Sequence, residues 1–191
     1  RGLGDVYKRQ SMYYVSTRNK EDRRTAAEAI AQGLAVDGGL MTPEVFPKLS
    51  HNALDTMRDM SYQQRAVYVM NSYLDDFTAS ELSAYADKAY GGEKFDVKEV
   101  APVRAVDENT YCLELWHGPT CAFKDMALQM LPHLLSASLV KNQEEKTVCI
   151  LVATSGDTGK AALEGFKDVD KTRILVFYPC LLYTSPSPRD C

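Results

Sequence analysis

Thr147-Val148-Cys149-Ile150-Leu151-Val152-Ala153 is an unbroken apolar run, and the turn Thr154-Ser155-Gly156-Asp157-Thr158-Gly159 follows it directly. A helix-forming stretch continues to Phe166, and a second apolar run covers Arg173-Ile174-Leu175-Val176-Phe177-Tyr178. Short continuous apolar runs suit strands buried on both faces. Two such strands joined through a helix form parallel neighbours in a βαβ unit, with the right-handed crossover that strand twist imposes. That alternation puts the second half of the chain in the α/β class.

Upstream of this unit, Val100–Val106 and Tyr111–Leu115 read as two strands joined by the turn Asp107-Glu108-Asn109. Lys124–Val140 carries Ala127, Leu128, Leu131, Leu134, Leu135 and Leu139 in a helical pattern. Pro132 sits inside it and predicts a kink or break, because proline removes a hydrogen bond and clashes with the preceding turn. Residues 11–95 read as mostly helical. Thr25-Ala26-Ala27-Glu28 and Thr78-Ala79-Ser80-Glu81 are capping boxes, and Ser50 and Ser61 are N-cap candidates. Ala66, Val69, Met70 and Tyr73 share one helical face. Asp37-Gly38-Gly39 breaks the chain, Thr42-Pro43 keeps it extended, and Gly91 stops the last helix. The expected architecture is a helical N-terminal domain over 11–95, then the start of a parallel-sheet βαβ domain over 96–179 that is cut short.

The 191 residues include 22 Lys+Arg against 26 Asp+Glu, a net charge of −4, and 45% are hydrophobic. This excludes a disordered polyelectrolyte and gives no basic surface for nucleic acid. No stretch approaches the roughly 18 uninterrupted apolar residues that span a bilayer, so no membrane partner is expected. Arg1–Ser11 has no apolar core of a secretory signal.

The ends read differently from the rest. Asp5-Val6-Tyr7-Lys8-Arg9-Gln10 back-translates as GATGTGTATAAGAGACAG. The reverse complement, read from its second base, encodes Cys-Leu-Leu-Tyr-Thr-Ser, the residues at 180–185. One DNA element thus sits in opposite orientations at the two ends and looks like a transposon-end sequencing adapter. Residues 1–10 and 180–191 are therefore left out of the fold reasoning. The remaining segment keeps Cys112, Cys121 and Cys149, which show no CxxC spacing and form no complete disulfide framework, so a reducing cytoplasm is expected.

Two segments carry chemistry. In Glu114-Leu115-Trp116-His117-Gly118-Pro119-Thr120-Cys121-Ala122-Phe123-Lys124-Asp125, a Gly-Pro turn leaves a strand and delivers a lysine to a helix start. Partial burial beside Trp116, Ala122 and Phe123, with the positive end of the helix dipole, would favour the free amine that attacks an aldehyde. A solvated surface lysine is the alternative. In Thr154–Gly159, backbone N–H groups at a helix start, with Ser155 and Thr158 hydroxyls, make an anion site at the carboxyl end of a strand. Gly156 and Gly159 allow close approach of a ligand, while the Asp157 carboxylate works against a pure phosphate cradle. Simple capping by Ser155, Asp157 or Thr158 is the alternative. The loop fits neither the nicotinamide nor the P-loop pattern.

Together these segments resemble the threonine synthase family, pyridoxal-phosphate enzymes of the tryptophan-synthase-β structural group. The family's cofactor-lysine motif is matched by His117-Gly118-Pro119-Thr120 through Phe123-Lys124-Asp125, and its Ser-Gly-Asp-Thr-Gly loop by Ser155–Gly159. Tyr14-Val15-Ser16-Thr17-Arg18, Gln32-Gly33-Leu34-Ala35 and Asp37-Gly38-Gly39-Leu40 are similar to its N-terminal domain. The resemblance implies that Lys124 holds pyridoxal 5'-phosphate as an internal aldimine and later moves protons. It implies that Ser155, Gly156, Asp157, Thr158 and Gly159 contact the substrate carboxylate and the cofactor ring. Relatives outside threonine synthases mostly carry Asn where Asp157 stands.

The implied reaction converts O-phospho-L-homoserine and water to L-threonine and phosphate. The glycine-rich loop for the cofactor phosphate lies further along in the family, so the 191-residue product itself is expected to be inactive and to bind the cofactor weakly. Rival readings are a threonine-synthase-like phospholyase and a non-catalytic α/β binding domain. Phe123 and His117 read as core or turn packing, with walls of the site as the alternative; His51 and His133 read as structural, and Glu81 as a solvated helix face. No metal site is expected.

Overall fold

The computed structural model describes residues 11–154 and 156–178. Both tails, Ser155 and Pro179 lie outside the described residues, so the adapter reading is not tested there. Near the start, Tyr14–Ser16 (β1) pairs antiparallel with Arg23–Arg24 (β2) on one side and Met41–Pro43 (β3) on the other. The turn that leads into β3 is held by Asp37, which accepts from Ser16 Oγ at 2.8 Å and from the Gly39 N–H at 2.8 Å. Gly38 takes φ +75°, a left-handed conformation that glycine adopts freely. These short strands are additional to a stretch that is otherwise mostly helical, as its sequence predicts. Segments of two or three residues leave no period in a sequence, and their pairing is set by distant partners.

The helices begin where their caps predict. Thr25 and Glu28 form a reciprocal capping box on Ala26–Gln32 (α1), and Ser50 caps His51–Arg58 (α2). Ser61 with Gln64 caps Tyr62–Met70 (α3), and Thr78 with Glu81 caps Ala79–Tyr90 (α4). On α3 the inward face uses Ala66, Val67 and Met70, continued by Tyr73, while Val69 is partly exposed, a one-residue correction to the expected stripe. Gly91 ends α4 where a Cβ would strike the Asp87 carbonyl oxygen.

Val103–Ala105 (β4) and Tyr111–Leu113 (β5) form the expected hairpin, with Asp107 accepting from the Asn109 and Thr110 N–H groups at its tip. The long helix expected from Lys124 is broken in two, Asp125–Leu128 (α5) and Leu131–Lys141 (α6). Pro132 sits in the first turn of α6, where its missing N–H costs nothing. Val148–Ala153 (β6) and Thr172–Phe177 (β7) pair in parallel, connected through Asp157–Phe166 (α7), as the βαβ reading requires.

One core serves both halves. Ala26 and Ala27 of α1, Leu82, Ala86 and Ala89 of α4, and Met130 and Leu134 beside and within α6 are buried in one cluster with Leu74, Phe77 and Phe95. A second cluster, Leu135, Leu139 and Phe166, covers Val148, Ile150 and Ile174 of the parallel pair. The opposite face of that pair is open: Leu151 is 66% and Phe177 57% exposed. The expectation of burial on both faces is thus corrected. Among the described residues α6 and α7 cover one face, and alternate side chains point to the other.

Candidate functional site

The first site segment leaves β5 and turns sharply at Gly118. A Cβ there would lie 2.6 Å from Asp125 Oδ2, so only glycine lets the turn close on itself. Asp125 is completely buried. Among the described residues both hydrogen bonds to its carboxylate come from Thr120: the backbone N–H donates at 2.8 Å to Oδ2, and the hydroxyl at 2.7 Å to Oδ1. This clasp closes the loop of residues 120–125 and sets Lys124 at the start of α5. The sequence reading quoted Asp125 within the motif without giving it this task. Its signal was an acid five residues after a Gly-Pro-Thr turn.

Lys124 is half-buried, with its Nζ 4.2 Å from the centre of the Phe123 ring, a cation–π contact. Among the described residues no carboxylate pairs with it. Phe123 is 62% exposed beside the amine, which sets core packing aside and leaves the alternative of a wall at the site.

The second segment starts at the carboxyl end of β6. The Thr154 N–H donates to the Phe177 carbonyl at 3.0 Å, tying the loop to β7. The Gly156 N–H donates to Thr154 Oγ1 at 3.2 Å. No side chain caps α7 among the described residues, against the simple-capping alternative for Asp157 and Thr158, which are exposed in its first turn. Ser155 lies outside the described residues. A Cβ on Gly156 would meet open space, whereas one on Gly159 would run into Thr154 Cγ2. Gly156 therefore leaves room at the loop surface, and Gly159 lets α7 sit close on its strand.

The two segments are joined. Lys160 Nζ, in the first turns of α7, donates to the Thr120 carbonyl at 3.3 Å. Gly165 lets α7 approach so closely that a Cβ there would collide with the Leu128 carbonyl oxygen of α5. A groove of about 1080 Å³ is lined by Pro119, Thr120 and Lys160 and by Lys171, Thr172 and Arg173 at the start of β7, but by neither Lys124 nor Gly156–Gly159. It reaches the amino ends of the strands, whereas α/β sheets bind ligands at the carboxyl ends, where Thr154–Gly159 stands.

The other expectations resolve individually. His117 bonds two carboxylates, Nδ1 to Asp96 at 2.6 Å and Nε2 to Glu114 at 2.8 Å. Glu114 first and Asp96 next raise its pKa above the ordinary imidazole value. His133 stacks on Tyr85, and burial with Lys94 and Lys88 nearby lowers its pKa. His51 begins α2, exposed. Glu81 is more than a solvated face: besides capping α4 it pairs with Lys141 of α6 at 2.8 Å, and Lys141, then Thr78, hold its pKa down at about 2. Among the described residues no group of His, Cys, Asp or Glu is arranged to hold a metal ion, and no helix is long and apolar enough to cross a membrane.

Residues 13–90 match the family model described as threonine synthase N terminus. Over these residues the chain is similar to the N-terminal domain of the threonine synthase family. It is 36% identical to the threonine synthase of Methylobacillus glycogenes over 88% of its own length and 36% of that protein's. It is 39% identical to threonine synthase-like 1 of Mus musculus, covering 92% of this chain and 26% of that one. Among solved structures, the pyridoxal-phosphate-bound threonine synthase of Brucella melitensis superposes with a TM-score of 0.83 at 36% identity, over 88% of this chain and 36% of that one. The yeast enzyme does so at 0.81 and 33% identity, over 89% and 36%. The chain thus spans little more than a third of the threonine synthases it matches.

Proposed function

We propose that the chain is the N-terminal part of a pyridoxal-phosphate-dependent lyase, a threonine synthase that converts O-phospho-L-homoserine and water to L-threonine and phosphate. The observation that carries this is Lys124: a half-buried primary amine with no carboxylate partner among the described residues, fixed by the Asp125–Thr120 clasp and backed by the helix that begins at Asp157. The residues fit the cofactor on donor chemistry. An unpaired amine suits its aldehyde, and the unobstructed surface at Gly156 suits close approach of a ring or carboxylate.

When bound, pyridoxal phosphate supplies the electron sink that stabilises a carbanion no side chain could hold near neutral pH. The chain's own residues do the rest. Lys124 Nζ would hold the aldehyde end, and as a free amine it would be the base that moves the α-proton and then a β-proton. The N–H groups and the Thr158 hydroxyl at the start of α7, with Ser155, grip the substrate carboxylate. The clasp keeps the amine in one place, so that positioning lowers the barrier to proton transfer. The three free thiols, Cys112, Cys121 and Cys149, suit a reducing cytoplasm.

The test is Lys124→Ala in the full-length protein. It should abolish cofactor-linked visible absorbance and turnover, and unchanged turnover removes Lys124 from the mechanism. Product analysis separates threonine plus phosphate from the 2-oxobutyrate plus phosphate of a phospholyase. The 191-residue chain alone should neither turn over nor hold the cofactor tightly, and a stable borohydride-reducible adduct on Lys124 in this chain would overturn that part.

A further inference from the structure

His117 sits immediately before Gly118, at the entrance of the lysine turn, with its side chain only 11% exposed. A neutral imidazole has one N–H and could satisfy one carboxylate, leaving its second nitrogen's lone pair against the other. Only the imidazolium donates to both Asp96 and Glu114. Both partners are themselves anchored. The Asp96 N–H donates to the His117 carbonyl at 3.1 Å, and its neighbour Phe95 is buried in the core shared with α4 and α6. The Glu114 N–H donates to the Pro102 carbonyl at 3.0 Å, at the edge of the hairpin. The charges facing this cluster are Arg104, whose Nε is 3.8 Å from Glu114, and Glu99, 4.0 Å from Arg104 Nη2. The Trp116 ring lies 5.5 Å from the imidazole, centre to centre.

Resting on the lysine reading above, we propose that His117 is a positioning residue. Its imidazolium ties the entrance of the Gly118–Asp125 turn to Asp96, next to the core residue Phe95, and to Glu114 beyond β5, and so fixes where Lys124 is delivered. The tie joins the helical half of the chain to the turn through side chains, alongside the Asp125–Thr120 clasp inside the turn.

Hydrogen exchange of the 191-residue chain tests it, read as protection of the 118–125 amides relative to Ala86 and Ala89 of α4. Two conditions bracket the ordinary imidazole value, about pH 5.5 and about pH 8.5. The native segment should lose about tenfold in protection at the higher pH, the scale of one charge-assisted hydrogen bond. His117→Gln should show the loss at both. Protection that does not change with pH, or native protection in His117→Gln, overturns the proposal. Should His117→Gln fail to fold, NMR titration of the native chain and Asp96→Asn decides instead. The His117 midpoint should lie above about 6.5 in the native chain and fall in Asp96→Asn, and a midpoint that does not move overturns the tie. Failure of Lys124 to capture pyridoxal phosphate in the full-length protein, with this exchange pattern intact, removes the lysine reading and with it the positioning role. Capture with the exchange pattern absent removes His117 alone.

Discussion

Thr120→Val tests the clasp that sets the lysine in place. Valine keeps the shape of threonine and leaves the Thr120 N–H bond to Asp125 Oδ2 intact, removing only the hydroxyl that donates to Oδ1 at 2.7 Å. Asp125 is completely buried, so water cannot replace the lost donor. A hydrogen bond to a carboxylate contributes about 1.5–3 kcal/mol, and the stranded acceptor keeps the loss in that range, so about 2 kcal/mol is expected. With a urea slope of about 2 kcal/mol/M, the unfolding midpoint should fall by about 1 M. Thr120→Ser keeps the donor and should lose much less. Asp125→Asn and the double variant complete a cycle in which the two sites should couple by about 1–2 kcal/mol. A Thr120→Val midpoint within about 0.25 M of native, the scale of an ordinary surface substitution, would refute the clasp as the element that closes the turn.

Gly165→Ala places a methyl group against the Leu128 carbonyl oxygen, a backbone atom that cannot swing away, and should cost about 1–3 kcal/mol in urea unfolding; native stability would show that α5 and α7 can separate freely. Glu81 titrates near 2 rather than 4.5, so its contribution is full above about 4.5 and is lost as pH falls toward 2. Lys141→Ala removes the first cause of that shift and should move the acid-unfolding midpoint slightly upward in pH, the stability lost being under about 1 kcal/mol because the pair is 26% and 33% exposed; an unmoved midpoint dismisses the link between α4 and α6. On the open face of the parallel pair, Leu175→Glu should change the stability of this chain by no more than about 0.5 kcal/mol, and a large loss in urea unfolding would mean that face is covered.

Much of this fold is legible in local chemistry. Thr25, Ser50, Ser61 and Thr78 announce their helices because a cap is satisfied within three residues, a distance a sequence displays directly. Pro132 announces its break for the same reason. The parallel pair is legible because each apolar run is a whole strand. What escapes is non-local. β1, β2 and β3 are too short to show a period, and the open outer face of β6 and β7 depends on what packs there, not on their own residues. At the site, Lys124 and the loop that ends in Gly159 stand out by motif. The role of Asp125 needs the turn to close before it can be seen, and His117 finds Asp96 across 21 residues.

The shared core has a consequence for dissecting this protein. Tyr90 of α4 donates its hydroxyl at 2.7 Å to the Met126 carbonyl of α5, and Asn142, which ends α6, donates to the Ala27 carbonyl of α1 at 3.0 Å. Among the described residues these bonds and the shared core cross residue 95. A protease cut or gene split there would expose Ala86, Ala89 and Met130 together and strip the lysine helix of its support. The amine at 124 and the family's N-terminal signature therefore stand or melt as one cooperative unit, and transplanting the lysine turn without the first hundred residues would carry over its letters but not its shape.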